Sequence, residues 1–122
     1  MTGKPNKDCI FCKIVKGEIK GDKIAETDSF FAMLDINQDI KGHTLVIPKK
    51  HFVTLFDIPD KLGNEMLKFT KKVAGDLLDK KLGDGFNLIM NNLSVAGQVV
   101  MHAHMHVIPR NEGDGIRFLT RV

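Results

Sequence analysis

The chain has 122 residues, of which 43% are hydrophobic and 27% charged, and this is typical of one globular domain. Its formal net charge is only +3 and its lysines are scattered, so the sequence gives little support for nucleic-acid binding. No apolar run approaches the about 20 residues of a membrane span, and Met1–Lys7 lacks the apolar core of a signal peptide, which favours a cytoplasmic protein.

The N-terminal part of the chain predicts a tail and then a short helix. We expect residues 1–7 to be a flexible tail and residues 8–122 to form a single domain. Apolar residues recur at helical spacing until Gly17, and this helix carries the pair Cys9 and Cys12. A structural disulfide is not expected in a cytoplasmic chain, and no strand precedes the pair as it would in a thioredoxin-like motif. The two cysteines therefore supply half of the ligands of a metal site, or they bind no metal.

Three strands and one long helix are predicted next. The strands cover Lys23–Thr27, Phe30–Asp35 and His43–Pro48, separated by a turn and a polar loop. An apolar stripe predicts a helix over Asp60–Leu82, in which Asp60 is the N-cap residue and Gly83 follows the last turn.

Two further strands, Gly85–Asn91 and Gln98–Ile108, complete the predicted domain. In the second strand, alternation gives an apolar core face that comprises Val99, Met101, Ala103, Met105 and Val107. Strands joined by short turns around one helix indicate an α+β fold, with an antiparallel sheet of about five strands, one long helix and the short N-terminal helix. Residues 110–122 show no clear periodicity and are not placed.

Three histidines, His102, His104 and His106, share the other face of that predicted strand. A structural role would require a partner for each imidazole without any gain in apolar burial. Neighbours on one face lie about 6.8 Å apart, so two rings can reach one ion, whereas the outer pair would have to span about 13 Å. We therefore expect the three histidines to divide their roles.

The run His-Ala-His-Met-His-Val-Ile, from His102 to Ile108, resembles the histidine triad (HIT) signature, His-φ-His-φ-His-φ-φ with φ apolar. Further segments resemble the same family in order and spacing, and they are Cys9–Ile14, Asp35–Asn37 with Gly42–His51, and Gly97-Gln98. The resemblance covers nearly the whole chain. Pro109-Arg110 is similar to the Fhit-like branch and the middle segment to the Hint-like branch, so the branch stays open.

The resemblance implies a nucleotidyl hydrolase or transferase that acts at the α-phosphate of purine nucleotide derivatives through a nucleotidyl-histidine intermediate. By position, His104 matches the nucleophile, His106 matches the residue that hydrogen-bonds phosphate or leaving group, and His43 matches a further active-site histidine. Histidine suits this role because an imidazole with a pKa near 6.5 is neutral and nucleophilic at cytoplasmic pH. Nucleoside phosphoramidates and dinucleoside polyphosphates both stay open as substrates, since Val99 replaces a serine that helps to protonate an amine leaving group in many Hint-like members.

The same resemblance implies the nucleotide contacts. Gln98 and Asn91 match amides that contact the phosphates, and Asp35 matches a carboxylate that accepts both ribose hydroxyls. The apolar walls of the base slot match Phe11, Ile14, Met33 and Ile36.

Zinc and a homodimer are implied as well. Zinc-containing members pair their Cys-x-x-Cys with two histidines, which here gives Cys9, Cys12, His51 and His102 as a structural Cys₂His₂ site. If His102 binds zinc in this way, its side chain does not take part directly in the reaction. The implied dimer interface comprises the helix Asp60–Leu82 and the strand Gly85–Asn91.

Two other functional readings stay open. The chain is alternatively a purine-nucleotide-binding regulatory or interaction protein with residual catalysis. It is also compatible with a metallohydrolase in which His102 and His104 bind a catalytic metal together.

Overall fold

A computed structural model describes residues 3–118, and its elements confirm the predicted fold class. In chain order they are α1 (Ile10–Val15), β1 (Lys23–Glu26), β2 (Phe30–Leu34), β3 (Thr44–Pro48), α2 (Gly63–Asp79), β4 (Gly85–Ile89) and β5 (Met105–Arg110). The strands form one antiparallel sheet in the order β1-β2-β3-β5-β4. Among the described residues, no helix is long and apolar enough to cross a membrane.

The sheet lies between the two helices, because alternate residues of each strand point to opposite faces. The face that α1 covers, here called the α1 face, contributes buried Phe31, Met33, Leu45 and Ile47. Helix α2 packs on the opposite face with Phe69, Val73, Ala74 and Leu77. His106 is paired with Leu45 across β3 and β5, so its side chain lies on the α1 face.

The predicted strand Gln98–Ile108 is wrong in its first half, because β5 begins only at Met105. The preceding residues form an irregular loop, in which the Ala103 N–H donates to the Phe52 carbonyl at 2.6 Å instead of to a neighbouring strand. Only His106 therefore lies in the strand, and the three histidines do not line one strand face.

The predicted core face of this segment is wrong at Val99 and Met101 for the same reason. Val99 and Met101 are 88% and 40% exposed, whereas His102 is fully buried and His104 is 9% exposed. His102 and His104 are buried by contacts with Phe11 of α1, whereas Ala103 packs with Phe52 and Ile58. Ala103 and Val107 are buried as predicted.

Helix α2 is shorter than predicted at both ends. A 3-10 turn over Asp60–Leu62 precedes it, and Leu62 takes the N-cap position without a side-chain hydrogen bond, so the role predicted for Asp60 is wrong. Just beyond the helix, Lys81 adopts the left-handed conformation with φ of 63°, so Gly83 is not the C′ residue. A Cβ on Gly83 would lie 2.9 Å from the Arg110 backbone nitrogen, and this close approach explains the glycine.

Strand β4 forms one edge of the sheet, and its apolar Phe86 and Leu88 are 42% and 47% exposed. Leu67 of α2 is 56% exposed. The homodimer expected through these elements stays a prediction. The flexibility of the N-terminal tail also stays a prediction, and the structure shows the Gly3 N–H donating to the His51 carbonyl at 2.7 Å.

Candidate active site and metal centre

Four buried side chains meet where α1 approaches the loop before β5, and they are Cys9, Cys12, His51 and His102. Cys9 Sγ lies 3.3 Å from His102 Nδ1, Cys12 Sγ lies 3.3 Å from His51 Nδ1, and the two Nδ1 atoms are 3.1 Å apart. Ligand atoms arranged tetrahedrally around zinc would be about 3.3–3.8 Å apart. The geometry and the donor chemistry of this set therefore fit a zinc ion.

The ring of His102 is oriented for this role by the backbone. Its Nε2 lies 2.8 Å from the Pro48 carbonyl oxygen, so Nε2 carries the hydrogen and Nδ1 presents its lone pair to the thiols. Burial lowers the pKa of His102 to about 4 and also lowers the pKa of His51, which keeps both imidazoles neutral. Burial raises the pKa of the Cys9 thiol, and a metal ion is what would stabilise a thiolate there.

The neighbouring histidine of the triad is held by the same loop. His104 Nδ1 donates to the backbone carbonyl of His102 at 2.8 Å, which leaves Nε2 with its lone pair. The Phe11 ring packs edge-on against the His104 ring, with the centroids 5.2 Å apart. His104 thus has a fixed orientation and one basic nitrogen.

His43 and His106 form a hydrogen-bonded pair beside His104. His43 Nε2 lies 2.9 Å from His106 Nδ1, and Asp35 Oδ2 lies 3.8 Å from that same Nε2, which favours the hydrogen on His43. His106 in its neutral form then carries its hydrogen on Nε2. Burial lowers the pKa of His43 and, together with the repulsion of His104 and His43, lowers that of His106 to about 4.

The same three groups, Asp35, His43 and His106, are close enough to share a metal ion. The hydrogen bond between the two imidazoles, however, uses the nitrogens that would have to bind it. His104 belongs to neither potential ligand cluster within residues 3–118.

Gln38 orders the loop that carries Asp35 and His43. Its Nε2 donates to the backbone oxygens of both residues, at 2.9 and 2.8 Å, and its Oε1 accepts from the Gly42 N–H at 2.9 Å. Gly42 has a φ of 92°, which explains a glycine at this turn. Sequence reasoning missed Gln38, because one amide within a polar loop gives no periodic signal.

A cavity of about 670 Å³ lies between α1 and the α1 face of the sheet, and we call it the nucleotide pocket after the ligand that the sequence predicts there. Its volume is in the range of small-molecule sites. Its lining includes the predicted residues Phe11, Ile14, Met33, Asp35, Ile36, Asn91, His104 and His106. Phe11, Ile14 and Met33 are buried and form an apolar wall, whereas Ile36 is 89% exposed. The structure therefore brings apolar, carboxylate, amide and imidazole groups to one cavity.

Two of the residues predicted for catalysis or phosphate binding lie outside the lining of this cavity. His43 is joined to it through the hydrogen bond to His106, and the other residue is Gln98. Its Nε2 donates to the carbonyls of Val53 and Val100, and its Oε1 accepts from the Leu93 N–H at 2.6 Å. These bonds engage the buried amide, and the phosphate contact expected of Gln98 stays a prediction. Gln98 instead stabilises the loop that follows Asn91 through these hydrogen bonds.

A second groove, of about 1100 Å³, lies over β4 and β5, and we call it the C-terminal groove. His106 and Asn91 line both cavities. The far wall of the groove includes Arg110, Ile116, Arg117 and Phe118. These residues lie in the segment that the sequence could not place, apart from the Pro109-Arg110 resemblance.

Comparison with known proteins gives consistent matches over most of the chain. Residues 16–113 match the HIT domain family. The chain is 51% identical over 108 residues to an uncharacterised HIT-like protein of Methanocaldococcus jannaschii, covering 88% of this chain and 82% of that protein. It is 44% identical over 110 residues to the adenosine 5′-monophosphoramidase of Schizosaccharomyces pombe, covering 88% of this chain and 79% of the relative.

Solved structures give the same result. The Zn-bound histidine triad family protein from Mycobacterium smegmatis matches with a TM-score of 0.84 and 38% identity, over 92% of this chain and 81% of that structure.

Proposed function

The chain belongs to the HIT family, and on that premise we propose that it is a nucleotide hydrolase that uses His104 as a covalent nucleophile. Its substrates would be purine nucleotide derivatives, either phosphoramidates or dinucleoside polyphosphates, cleaved at the α-phosphate. The observation that carries this proposal is the hydrogen bond from His104 Nδ1 to the His102 carbonyl, which in a neutral ring leaves the lone pair on Nε2 beside the nucleotide pocket. The similarity to an adenosine 5′-monophosphoramidase supports it.

In the first step, His104 Nε2 attacks the α-phosphorus. A phosphorus–nitrogen bond forms, and the bond to the leaving group breaks with its electron pair going to that group. An amine takes a proton from solvent water as it leaves, whereas a phosphate can depart as an anion. The positive charge that develops on His104 is stabilised through Nδ1–H by the His102 carbonyl.

In the second step, water attacks the phosphorus of the nucleotidyl-His104. The new phosphorus–oxygen bond replaces the phosphorus–nitrogen bond, whose electron pair returns to Nε2. The water releases a proton to solvent, and the product is a nucleoside monophosphate. Throughout, the Nε2–H of His106 donates to a phosphate oxygen, and His43 holds that tautomer through its own Nε2–H.

Substrate recognition is assigned to the remaining residues of the nucleotide pocket. Phe11, Ile14, Met33 and Ile36 would hold the purine base. Asp35 would accept hydrogen bonds from the ribose hydroxyls, and Asn91 would donate to a phosphate.

We also propose that the Cys9, Cys12, His51 and His102 cluster binds a structural zinc. When bound, zinc ties α1 to the loop before β5 and supplies no open position for chemistry. His102 is a proposed zinc ligand, and its backbone carbonyl orients the His104 ring. A zinc ion bound there would therefore help to fix the position of the nucleophile.

Two other functions remain to be tested against this one. A metallohydrolase that uses His102 and His104 on one metal is disfavoured, because His102 Nδ1 faces the cysteines and His104 Nδ1 donates to a carbonyl. A nucleotide-binding regulatory protein would use the same pocket without turnover, so only an activity measurement separates it from the enzyme.

The proposal also covers the oligomeric state of the chain and its cellular compartment. We propose a homodimer through α2 and β4, which carry exposed Leu67, Phe86 and Leu88. Light scattering that gives one chain per particle at micromolar concentration would contradict it. A cytoplasmic location suits the free thiols Cys9 and Cys12.

The experiment that tests the proposed function is a substrate screen with matched variants. Adenosine phosphoramidate, an adenylylated amine and diadenosine polyphosphates are incubated with the parent chain, with His104→Asn and with Lys71→Gln. Lys71 is an exposed residue of α2 on the far side of the sheet and serves as the control. We expect AMP release by the parent chain and Lys71→Gln and none by His104→Asn. Binding without turnover of any of these nucleotides by the parent chain would favour the regulatory alternative, and loss of turnover on chelation without unfolding would favour the metallohydrolase.

A further inference from the structure

We propose that Asp35, His43 and His106 form a second metal site, separate from the cysteine cluster, which takes a divalent transition-metal ion and excludes the nucleotide while the ion is bound. The site for the ion stands on the geometry of these three side chains. Its effect on turnover rests on the proposed function, because the same side chains are assigned there to ribose and phosphate.

The two imidazoles are spaced as neighbouring ligands of one ion. His43 Nε2 and His106 Nδ1 are 2.9 Å apart, and Asp35 Oδ2 lies 3.8 Å from the same Nε2. Ligand atoms that lie about 2.1 Å from one ion are about 3.0 Å apart at a right angle and about 4.2 Å apart across the ion. All three ligand atoms lie within 4.8 Å of one another, so small side-chain shifts complete the set.

The carboxylate of Asp35 has one oxygen available for an ion. Its Oδ1 accepts a hydrogen bond from the Asn37 N–H at 2.9 Å, which fixes the carboxylate. Its Oδ2 faces His43 and accepts no hydrogen bond from the residues that the structure describes. Oδ2 therefore brings a negative charge to two imidazoles without having to give up a partner.

The hydrogen bond between the two imidazoles does not exclude an ion, because one tautomeric change frees both nitrogens. His106 Nδ1 is the acceptor in that bond and already has its lone pair. His43 Nδ1 has no hydrogen-bond partner within residues 3–118, so the hydrogen of His43 can move from Nε2 to Nδ1 through solvent. The protein gains and loses no net proton, and the ion takes the place of the hydrogen between the rings.

The surroundings of the two rings favour metal binding at neutral pH. Burial lowers the pKa of His43 and that of His106, so both imidazoles are neutral there and an ion does not have to displace a proton from either. Asp35 and His106 line the nucleotide pocket, which gives an ion a path from solvent.

The donor set indicates which ions fit. Two imidazoles and one carboxylate leave positions for water, and such a set suits first-row transition metals that take up to six ligands. The affinity should increase from Mn²⁺ through Co²⁺ to Ni²⁺. Mg²⁺ prefers oxygen ligands and should not bind measurably.

A bound ion would compete with the nucleotide for the same groups. The oxygen of Asp35 that is proposed to accept a ribose hydroxyl would be a metal ligand. The hydrogen through which His43 Nε2 orients the His106 ring would also have left that nitrogen. A nucleotide therefore has to displace the ion before it can bind productively.

The first test is a calorimetric titration of the chain, purified with zinc, with nickel chloride. The zinc content is measured before and after the titration. We expect about one nickel ion per chain with no loss of zinc. Asp35→Asn and His43→Asn should each weaken nickel binding at least about tenfold, because the loss of an outer-shell partner alone costs about 10–100-fold.

Two matched variants serve as controls for nickel binding. Asp39→Asn removes an exposed carboxylate of the same loop, and His104→Asn removes the neighbouring imidazole that belongs to neither ligand cluster within residues 3–118. Both should bind nickel like the parent chain. Thermal melting of all four variants shows that each is folded under the conditions of the titration.

Adenosine gives the second readout, because it carries the ribose hydroxyls but no phosphate that could bind nickel in solution. Nickel at ten times its dissociation constant should weaken adenosine binding about tenfold if the two ligands exclude each other. Mg²⁺ at the same concentration should leave adenosine binding unchanged.

Several results would overturn the inference while the proposed function stands. They are a parent chain that binds no nickel, nickel binding that Asp35→Asn and His43→Asn leave unchanged, thiolate-to-nickel charge-transfer absorption, which would place the ion at the cysteines, and adenosine binding that nickel does not affect. Absence of AMP release by the nickel-free parent chain would contradict the proposed function and not the ion site. A chain that binds nickel but neither adenosine nor AMP would contradict the nucleotide pocket and, with it, the proposed exclusion.

Discussion

His104 Nδ1 lies 2.8 Å from the backbone carbonyl oxygen of His102, whose own ring faces the two cysteines. One residue therefore presents its side chain to the proposed zinc ligands and its backbone to the proposed nucleophile. This relationship links the proposed metal centre to the orientation of His104, and the predictions below separate the two roles.

Replacement of His104 by asparagine should remove turnover and keep nucleotide binding. The imidazole is the proposed nucleophile, so the loss in kcat should be at least about a thousandfold, whereas AMP affinity should stay within about tenfold. Steady-state kinetics and calorimetry measure the two quantities. Residual activity above a few per cent of the parent value, in preparations free of wild-type chain, would disprove this assignment.

The double variant Cys9→Ser with Cys12→Ser should lose zinc and stability together. The parent chain should contain about one zinc per chain by elemental analysis, because the four buried ligand atoms fit one tetrahedral ion. The double variant should contain none, melt at a lower temperature and keep part of its activity. A zinc-free parent chain purified without chelator would contradict the proposed metal centre, and an unchanged melting temperature with complete loss of activity would support a catalytic metal instead.

Asp35 should give a preference for ribonucleotides. If its carboxylate accepts both ribose hydroxyls, AMP should bind more tightly than 2′-deoxy-AMP by about 1–3 kcal/mol. Asp35→Asn should erase most of this difference, whereas Asp39→Asn, at an exposed position of the same loop, should preserve it. Equal affinities of the parent chain for the two sugars would show that Asp35 has another role.

Stability should rise with pH between about 4 and 6.5 partly because of His106. Burial lowers its pKa from the ordinary 6.5 to about 4, so in this window the unfolded chain binds a proton that the folded chain does not. The contribution of His106 to the free energy of unfolding should therefore be complete above pH 6.5 and decrease as the pH falls toward 4. His106→Asn should reduce the slope near pH 5.5 by about 1 kcal/mol per pH unit.

Urea unfolding at several pH values, with both proteins equally loaded with zinc, measures that slope. The comparison between the two proteins removes the contributions of the other titrating groups. Identical slopes would mean that His106 is protonated in the folded chain as readily as in the unfolded chain.

Much of the fold could be predicted from local pattern. Helix α1 and strands β1 to β4 lie within one or two residues of their predicted bounds, because apolar periodicity and turn residues determine them. The loop before β5 could not be predicted in this way, since its histidines are buried by contacts made with distant parts of the chain. His102 approaches Cys9, the N-cap residue of α1, and His104 packs against Phe11. These contacts leave no signal in the alternation of residues 98–108.

The candidate site, like the fold, could be predicted only in part from the sequence. Motif position predicted which side chains would converge on the nucleotide pocket, and Asp35, Asn91, His104 and His106 do line it. It could not predict that the amide of Gln98 would be engaged by backbone groups, or that the Arg110 guanidinium would donate to the Ile116 carbonyl. Both depend on hydrogen bonds with irregular backbone, which residue type and spacing do not encode.

The most direct test of the central claim is the stereochemical course at the α-phosphorus. An adenylyl substrate made chiral at that atom with an oxygen isotope and sulfur is hydrolysed in isotopically labelled water, and the configuration of the product is determined by phosphorus NMR. Attack by His104 followed by attack by water inverts the configuration twice, so the account predicts overall retention. Overall inversion would show that water displaces the leaving group directly, and it would contradict a covalent intermediate on His104.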